Sequence, residues 1–303
     1  ELSSGAPVRI LERHQVPLVR VELAVRWPGN QADTEDQLLA GLAGELLGSG
    51  TTQRSGAEFQ EELDLLGASW GLGVAPSSLW ADVEVPTGKL APALDLVVEA
   101  LTQPTFDHRD ARLEQARWAS WREDLWLDIR RIHERALNHA WFPVGHPIRH
   151  TASPEDILAL DPTEALALVR EILETGRAQV VVVGDTTPEE VLPLLEAAYG
   201  RFAGTAESAP IPDPPRTSAT WLVSRPGFNV AEVSVLTPGP ASGAADLVEA
   251  RALMALLAGT FTSRMSRDLR EERGLCYGVS GDVKAWTGTG QLEITLEAQW
   301  NRA

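Results

Sequence analysis

The chain has one cysteine in 303 residues, Cys276. An internal disulfide and any cysteine-rich metal site are excluded. No run of about 20 apolar residues occurs, which is what a membrane-spanning helix needs. Positive charge is scarce: 26 Lys and Arg against 43 Asp and Glu give a net charge of −17. That balance disfavours nucleic acid and anionic lipid as partners and permits a basic peptide or a basic partner subunit. Neither His-Glu-x-x-His nor His-x-x-Glu-His occurs, so the helical zinc-binding histidine pairs are missing. No secretory leader is visible, and the first residue is Glu1 rather than Met. The expected compartment is the cytoplasm, with the periplasm open to a chain whose leader has been removed.

What the chain does have is a repeat. Glu22 and Glu232 stand 210 positions apart, and at that offset Val25 meets Val235, Pro28-Gly29 meet Pro238-Gly239 and Asp36 meets Asp246. Further on, Leu46-Leu47 meet Leu256-Leu257, Arg54 meets Arg264 and Glu61-Glu62 meet Glu271-Glu272. So long a period marks a duplicated domain, since solenoid units repeat at roughly 20–50 residues. The copies differ where chemistry would sit: Arg270 faces Gln60 and Tyr277 faces Gly67.

Periodicity and punctuation predict the elements. Residues 8–11 and 19–25 read as a pair of strands joined by a turn near 15–17, and 28–30 as a break. Residues 38–47 carry Ala and Leu at helical spacing. Ser55 with Glu58 three residues on forms a capping box for a helix at 57–66 that stops at Gly67. Strands at 69–74 and 79–85 and a helix at 90–101 follow, then a long helical region from Asp107 to about Trp141 and a loop at 143–151. Ser153-Pro154-Glu155-Asp156 opens another helix. The four valines at 180–183 read as a buried strand and 188–199 as a helix. The domains expected are 1–203, a Pro-rich linker at 204–217, and a second copy at 218–303 that stops short of the first copy's length and is expected to be partial. The fold class is α+β: duplicated α/β domains, each a mostly antiparallel sheet with helices packed on one face.

Several motifs dissolve on inspection. Gly67-Ala68-Ser69-Trp70-Gly71 has the spacing of a serine hydrolase's nucleophile elbow. That elbow needs a strand before the serine and a helix after it, and here the order is reversed. His146 and His150 are four apart, but Pro147 between them breaks the helix that would align them. His133 and His139, six apart, do not share a helical face. Cys276 reads as a small buried hydrophobe.

The densest polar segment is Ser263-Arg264-Met265-Ser266-Arg267-Asp268-Leu269-Arg270-Glu271-Glu272-Arg273-Gly274-Leu275-Cys276-Tyr277. A solvated helix face laced with ion pairs accounts for its charges, but not for Arg270 and Tyr277 on either side of a Gly-bearing helix end. This segment resembles the signature in the C-terminal half of the M16 metallopeptidases, the family of pitrilysin, insulin-degrading enzyme and mitochondrial processing peptidase. The resemblance runs from Leu2 to the end and includes Gly50-Thr51-x-x-Arg54-Ser55, Leu66-Gly67-Ala68, Pro104-Thr105-Phe106, Gly145-His146-Pro147, Thr151-x-x-Pro154-Glu155-Asp156-Ile157, Val183-Gly184-Asp185 and Arg225-Pro226-Gly227.

The same resemblance exposes a departure. Active members carry His-x-x-Glu-His where this chain has Gly41-Leu42-Ala43-Gly44-Glu45, and a third ligand, Glu, near Trp121, where only Glu123 is close. The arginine–tyrosine pair, in contrast, matches at Arg270 and Tyr277. The resemblance implies a non-catalytic subunit with no cofactor of its own, inactive alone. It would pair with a zinc-bearing His-x-x-Glu-His subunit as a heterodimer, or with itself as a homodimer. Arg270 and Tyr277 would serve peptide binding and oxyanion stabilisation. The alternative is a structural, core-type subunit of the same fold with no peptidase role.

Overall fold

The computed structural model describes residues 1–27, 34–75, 78–105, 108–124, 127–143, 149, 152–202, 219–224, 226–286 and 288–299. The expected break at 28–30, most of the loop at 143–151 with His146 and His150, and the linker at 204–217 lie outside them. In chain order the elements are β1 (Val8–Glu12), β2 (Leu18–Arg26), α1 (Thr34–Leu46), α2 (Gly56–Leu66), β3 (Ser69–Ala75), β4 (Ser78–Pro86), α3 (Leu90–Thr102), α4 (His108–Asp124), α5 (Ile129–Trp141) and α6 (Pro154–Ala159). After them come α7 (Pro162–Thr175), β5 (Arg177–Gly184), α8 (Pro188–Tyr199), β6 (Val230–Gly239), α9 (Leu247–Met254), two π-helical segments (Ala255–Gly259 and Ser266–Glu272), β7 (Cys276–Ala285) and β8 (Gly290–Gln299). The architecture is α+β, as the sequence implied. Contacts group the chain into two compact units, Glu1–Arg122 with Ala152–Ala209, and Glu123–Thr151 with Pro210–Ala303.

The first unit is a five-stranded sheet in the order β1-β5-β2-β4-β3. Strands β1 and β2 do not pair with each other: β5 lies between them, parallel to β1 and antiparallel to β2. The alternation read in β2 sets its face. Val19, Val21, Leu23 and Val25 are buried with Val83, Val85, Val180 and Val182, and α1, α3, α7 and α8 belong to the same core. The four-valine run is buried on this face only; Val181 and Val183 are 37% and 38% exposed on the other. Beside them on that open face Arg20 pairs with Asp82 at 2.9 Å.

Local signals in the sequence place the helix ends. The Ser55 side chain caps α2 and the Glu58 carboxylate takes the Ser55 N–H at 2.9 Å, which holds that carboxyl below its ordinary pKa. Gly67 closes the helix at φ 66°, a left-handed conformation that favours glycine. Ser153 with Asp156 and Thr187 with Glu190 form the same box ahead of α6 and α8. The expected single helical region from 107 to 141 is two helices, because Asp128 caps a new one by accepting the Arg130 N–H at 2.8 Å.

The second unit repeats the first. Its sheet runs β6-β8-β7, the order of β2-β4-β3, with α9 and the π-helical segments standing where α1 and α2 stand. The connection from β7 to β8 is two residues longer than that from β3 to β4, so the gapless offset drifts at this hairpin. The other face of this sheet carries α5, whose His133 meets Ser234 of β6. Sequence position put α5 with the first copy; its contacts put it with the second.

Candidate functional site

The positions that align with the two metal-ligating histidines and the catalytic glutamate of the M16 motif lie on α1, and the region of the third ligand lies on α4. Leu42 and Ala43 face the core, so Gly41, Gly44 and Glu45 take up the remaining positions. A Cβ on Gly41 would stand 2.9 Å from the Trp118 ring, and one on Gly44 would stand 3.2 Å from the backbone nitrogen of Val74. Glu45 pairs with Arg117 at 3.4 Å. On α4, the Arg122 guanidinium lies 5.8 Å and 5.7 Å from the Trp118 and Trp121 ring centres, and burial pushes its pKa down. One indole, Trp118, therefore stands beside Gly41, and the Arg122 guanidinium lies over that same ring. No group of three or more His, Cys, Asp or Glu side chains is placed to hold a metal among the described residues. A zinc ion needs about four donors, typically imidazole or thiolate, and these residues do not fit it.

The arginine and tyrosine come together in the second unit. Ser263 opens their segment by accepting the Ser266 N–H at 3.4 Å. The π-helical turn ends in Gly274 at φ 58°, where Leu275 N–H reaches back to the Leu269 carbonyl at 2.8 Å, a helix-closing bond that a left-handed glycine permits. The chain then enters β7. The register shifts between Cys276 and Gly278, so Tyr277 is the extra residue of a β-bulge. Bulges re-aim a side chain, and here the Tyr277 ring, 85% exposed, lies 5.8 Å from the Arg270 guanidinium. Phe261 flanks the same guanidinium at 4.8 Å. Such stacking orients the planar cation and leaves its N–H edges for hydrogen bonds. The protein has only two tyrosines, and the other, Tyr199, is 1% exposed in the first core, where burial pushes its pKa up.

Tyr277 also lines a cleft of about 460 Å³ between α5 and the β6-β8-β7 sheet. Its floor is polar. His133 Nε2 lies 2.8 Å from Ser234 Oγ, Ser234 contacts Thr295, Thr295 donates to Glu293 at 3.1 Å, and Lys284 pairs with Glu293 at 2.6 Å. Burial lowers the pKa of His133 and, with Glu297 beside it, raises that of Glu232. Sequence reading used Glu232 only to anchor the repeat; that it faces a cleft depends on α5, which no local signal ties to β6. The remaining candidates stay apart. Ser69 begins β3 opposite Glu84 with no helix after it. Cys276 has its pKa raised by burial, against a smaller opposite pull from Arg270, and is no ready thiolate. His139 contacts Arg149.

Residues 159–302 match the model of the peptidase M16 inactive domain. An uncharacterized zinc protease of Mycobacterium leprae is 24% identical over 95% of this chain, which spans 66% of that relative's length. The peptidase M16 inactive domain from Pseudomonas fluorescens superposes with a TM-score of 0.83 at 19% identity, over 99% of this chain and 73% of that one. The ferredoxin protease FusC, solved in complex with Arabidopsis ferredoxin, superposes at 0.73 with 16% identity, over 100% of this chain and 34% of that one. With the repeated α+β units and the Arg270–Tyr277 segment already in place, these matches agree with the M16 resemblance: residues 159–302 are similar to the peptidase M16 inactive domain, and the chain shares the fold of solved M16 structures.

Proposed function

We propose that this chain is the non-catalytic subunit of an M16-type zinc peptidase and lends Arg270 and Tyr277 to the active site of a zinc-bearing His-x-x-Glu-His partner. The observation that carries the reading is the stacked arginine and tyrosine on a β-bulge, in a chain where Trp118 fills the space beside Gly41, a position that aligns with a metal-ligating histidine. In a zinc peptidase the metal polarises the scissile carbonyl and generates the attacking hydroxide; the partner would supply both. The tetrahedral intermediate also needs donors aimed at its oxyanion and groups that hold the peptide backbone. The Arg270 N–H edges and the Tyr277 hydroxyl are such donors.

The test is turnover by a reconstituted pair. Losing one oxyanion donor costs on the order of 10²–10³ in kcat. Arg270→Ala or Tyr277→Phe is expected to lower the pair's peptidase rate on that scale while subunit association, read by size-exclusion chromatography, is unchanged. Arg270→Lys is expected to rescue poorly, since an ammonium lacks the planar fork. Wild-type turnover by a pair carrying both Arg270→Ala and Tyr277→Phe would assign the chain a structural role instead.

A further inference from the structure

We infer that the cleft between α5 and the β6-β8-β7 sheet binds a cationic peptide side chain, lysine or arginine, with the head group at Glu232 and Glu297. The inference rests on the peptide-binding role proposed above, because Tyr277 lines the same cleft.

Glu232 and Glu297 are register partners on β6 and β8, so their side chains leave one face of the sheet side by side. Like charges opposed in this way repel. The Glu232 side chain is nonetheless only 7% exposed. Buried carboxylates normally accept hydrogen bonds from nearby donors. Among the described residues the cation nearest Glu232 is Arg130, whose Nε stands 3.9 Å from Oε1, too far for a hydrogen bond. Arg130 approaches Glu297 at 3.5 Å, and its side chain is 77% exposed. So exposed an arm contributes little at such distances and can swing aside.

The other cleft cations are committed. Lys284 is held by Glu293 at 2.6 Å. Burial disfavours the charged form of His133, whose Nε2 is engaged by Ser234. The lining carries four carboxylates, Glu134, Glu232, Glu293 and Glu297, against two cations, Arg130 and Lys284. Glu232 and Glu297 share a side-chain hydrogen bond; an ammonium or guanidinium entering the cleft can donate to both carboxylates in its place, and Leu137 and the Tyr277 ring offer apolar surface to its methylene stem. A neutral isostere gains only the stem contact. An acidic side chain meets the excess negative charge.

The experiment uses the whole chain and two fluorescein-labelled peptides that differ only in one arginine or citrulline. Binding is read by anisotropy at low ionic strength. The arginine peptide is expected to bind about tenfold tighter or more, the scale of one hydrogen bond to a charged group. Glu232→Gln is expected to erase most of that preference while leaving the citrulline peptide unchanged. Arg130→Ala is expected to tighten the arginine peptide, because a competing cation is gone. A merely structural Glu232 would lower the melting temperature when replaced; here Glu232→Gln is expected to preserve or raise it at pH 7. The sign follows from the raised carboxyl pKa, whose contribution to stability is present at low pH and lost as pH rises through the folded value. Equal affinity for the two peptides, no binding of either, or a preference that survives both Glu232→Gln and Glu297→Gln would overturn the inference. The assay involves no partner subunit and no turnover. Equal binding combined with a slowed Arg270→Ala pair would sink the cleft alone, and arginine preference combined with an unaffected pair would sink the oxyanion role alone.

Discussion

Gly41 and Trp118 show how one side chain closes a site. An indole occupies the space that a side chain at position 41 would enter, with 2.9 Å to an added Cβ. Restoring the ligand pattern by Gly41→His, Gly44→Glu and Glu45→His together is therefore expected not to restore stoichiometric zinc. Gly41→His alone should destabilise the fold by about 1–3 kcal/mol, the usual cost of overpacking, with Trp118→Ala relieving part of the clash. Elemental analysis and urea denaturation read the two outcomes, and one tightly held zinc per triple-variant chain would refute the packing argument. The missing histidines were legible in the sequence, since a metal site needs particular residue types. The indole was not: Trp118 lies 77 positions from Gly41, and only packing makes them neighbours.

At the scale of elements, the Gly50-Thr51-x-x-Arg54 motif is a clamp. The Thr51 hydroxyl accepts the Arg54 N–H at 3.0 Å and donates to Glu99 on α3. Arg54 pairs with Glu62 on α2 at 2.9 Å and with Glu99. Glu99 is 7% exposed. Arg54→Ala leaves that carboxylate in the core with the Thr51 hydroxyl but without its cation, and is expected to cost up to roughly 3–5 kcal/mol, the scale for breaking a buried pair by removing one partner. Arg54→Ala combined with Glu99→Leu should recover much of it. Chemical denaturation checks both, and a loss below about 1 kcal/mol for the single variant, the worth of an exposed pair, would show the clamp to be ornamental. Sequence foresaw α2 from Ser55, Glu58 and Gly67 because caps act within one turn. It merged α4 and α5 because both carry helical residues throughout, and the separating cap, Asp128, is a single side chain.

At the scale of the molecule, duplication sets up a comparison within one chain. In the first unit β5 covers the outer edge of β2 and α7 packs on α1. In the second, among the described residues, β6 pairs only with β8, and Val235, Val248 and Leu256 are 64%, 73% and 70% exposed. An apolar surface of this kind marks an interaction site or an aggregation liability. The isolated chain is expected to enhance the fluorescence of a hydrophobic dye. Val235→Thr with Val248→Glu and Leu256→Gln should lower that signal severalfold with little change in melting temperature, since exposed positions contribute little to the core. Unchanged fluorescence would mean that the side chains do not form a contiguous patch.

The sequence by itself determined that the protein is built twice over, that its elements are short helices and alternating strands, and that it lacks the histidines that the M16 motif it resembles carries at 41 and 45. These are properties of neighbours along the chain: period, caps, left-handed glycines and residue type. Only the tertiary structure decided that β5 separates β1 from β2, that α5 joins the second sheet, that Trp118 lies against Gly41, and that Glu232 and Glu297 share a cleft with Arg130. Each depends on which strand edge and which apolar face meet across a long sequence separation. Burial of whole faces selects those meetings, and the periodicity of any one segment is equally satisfied by several.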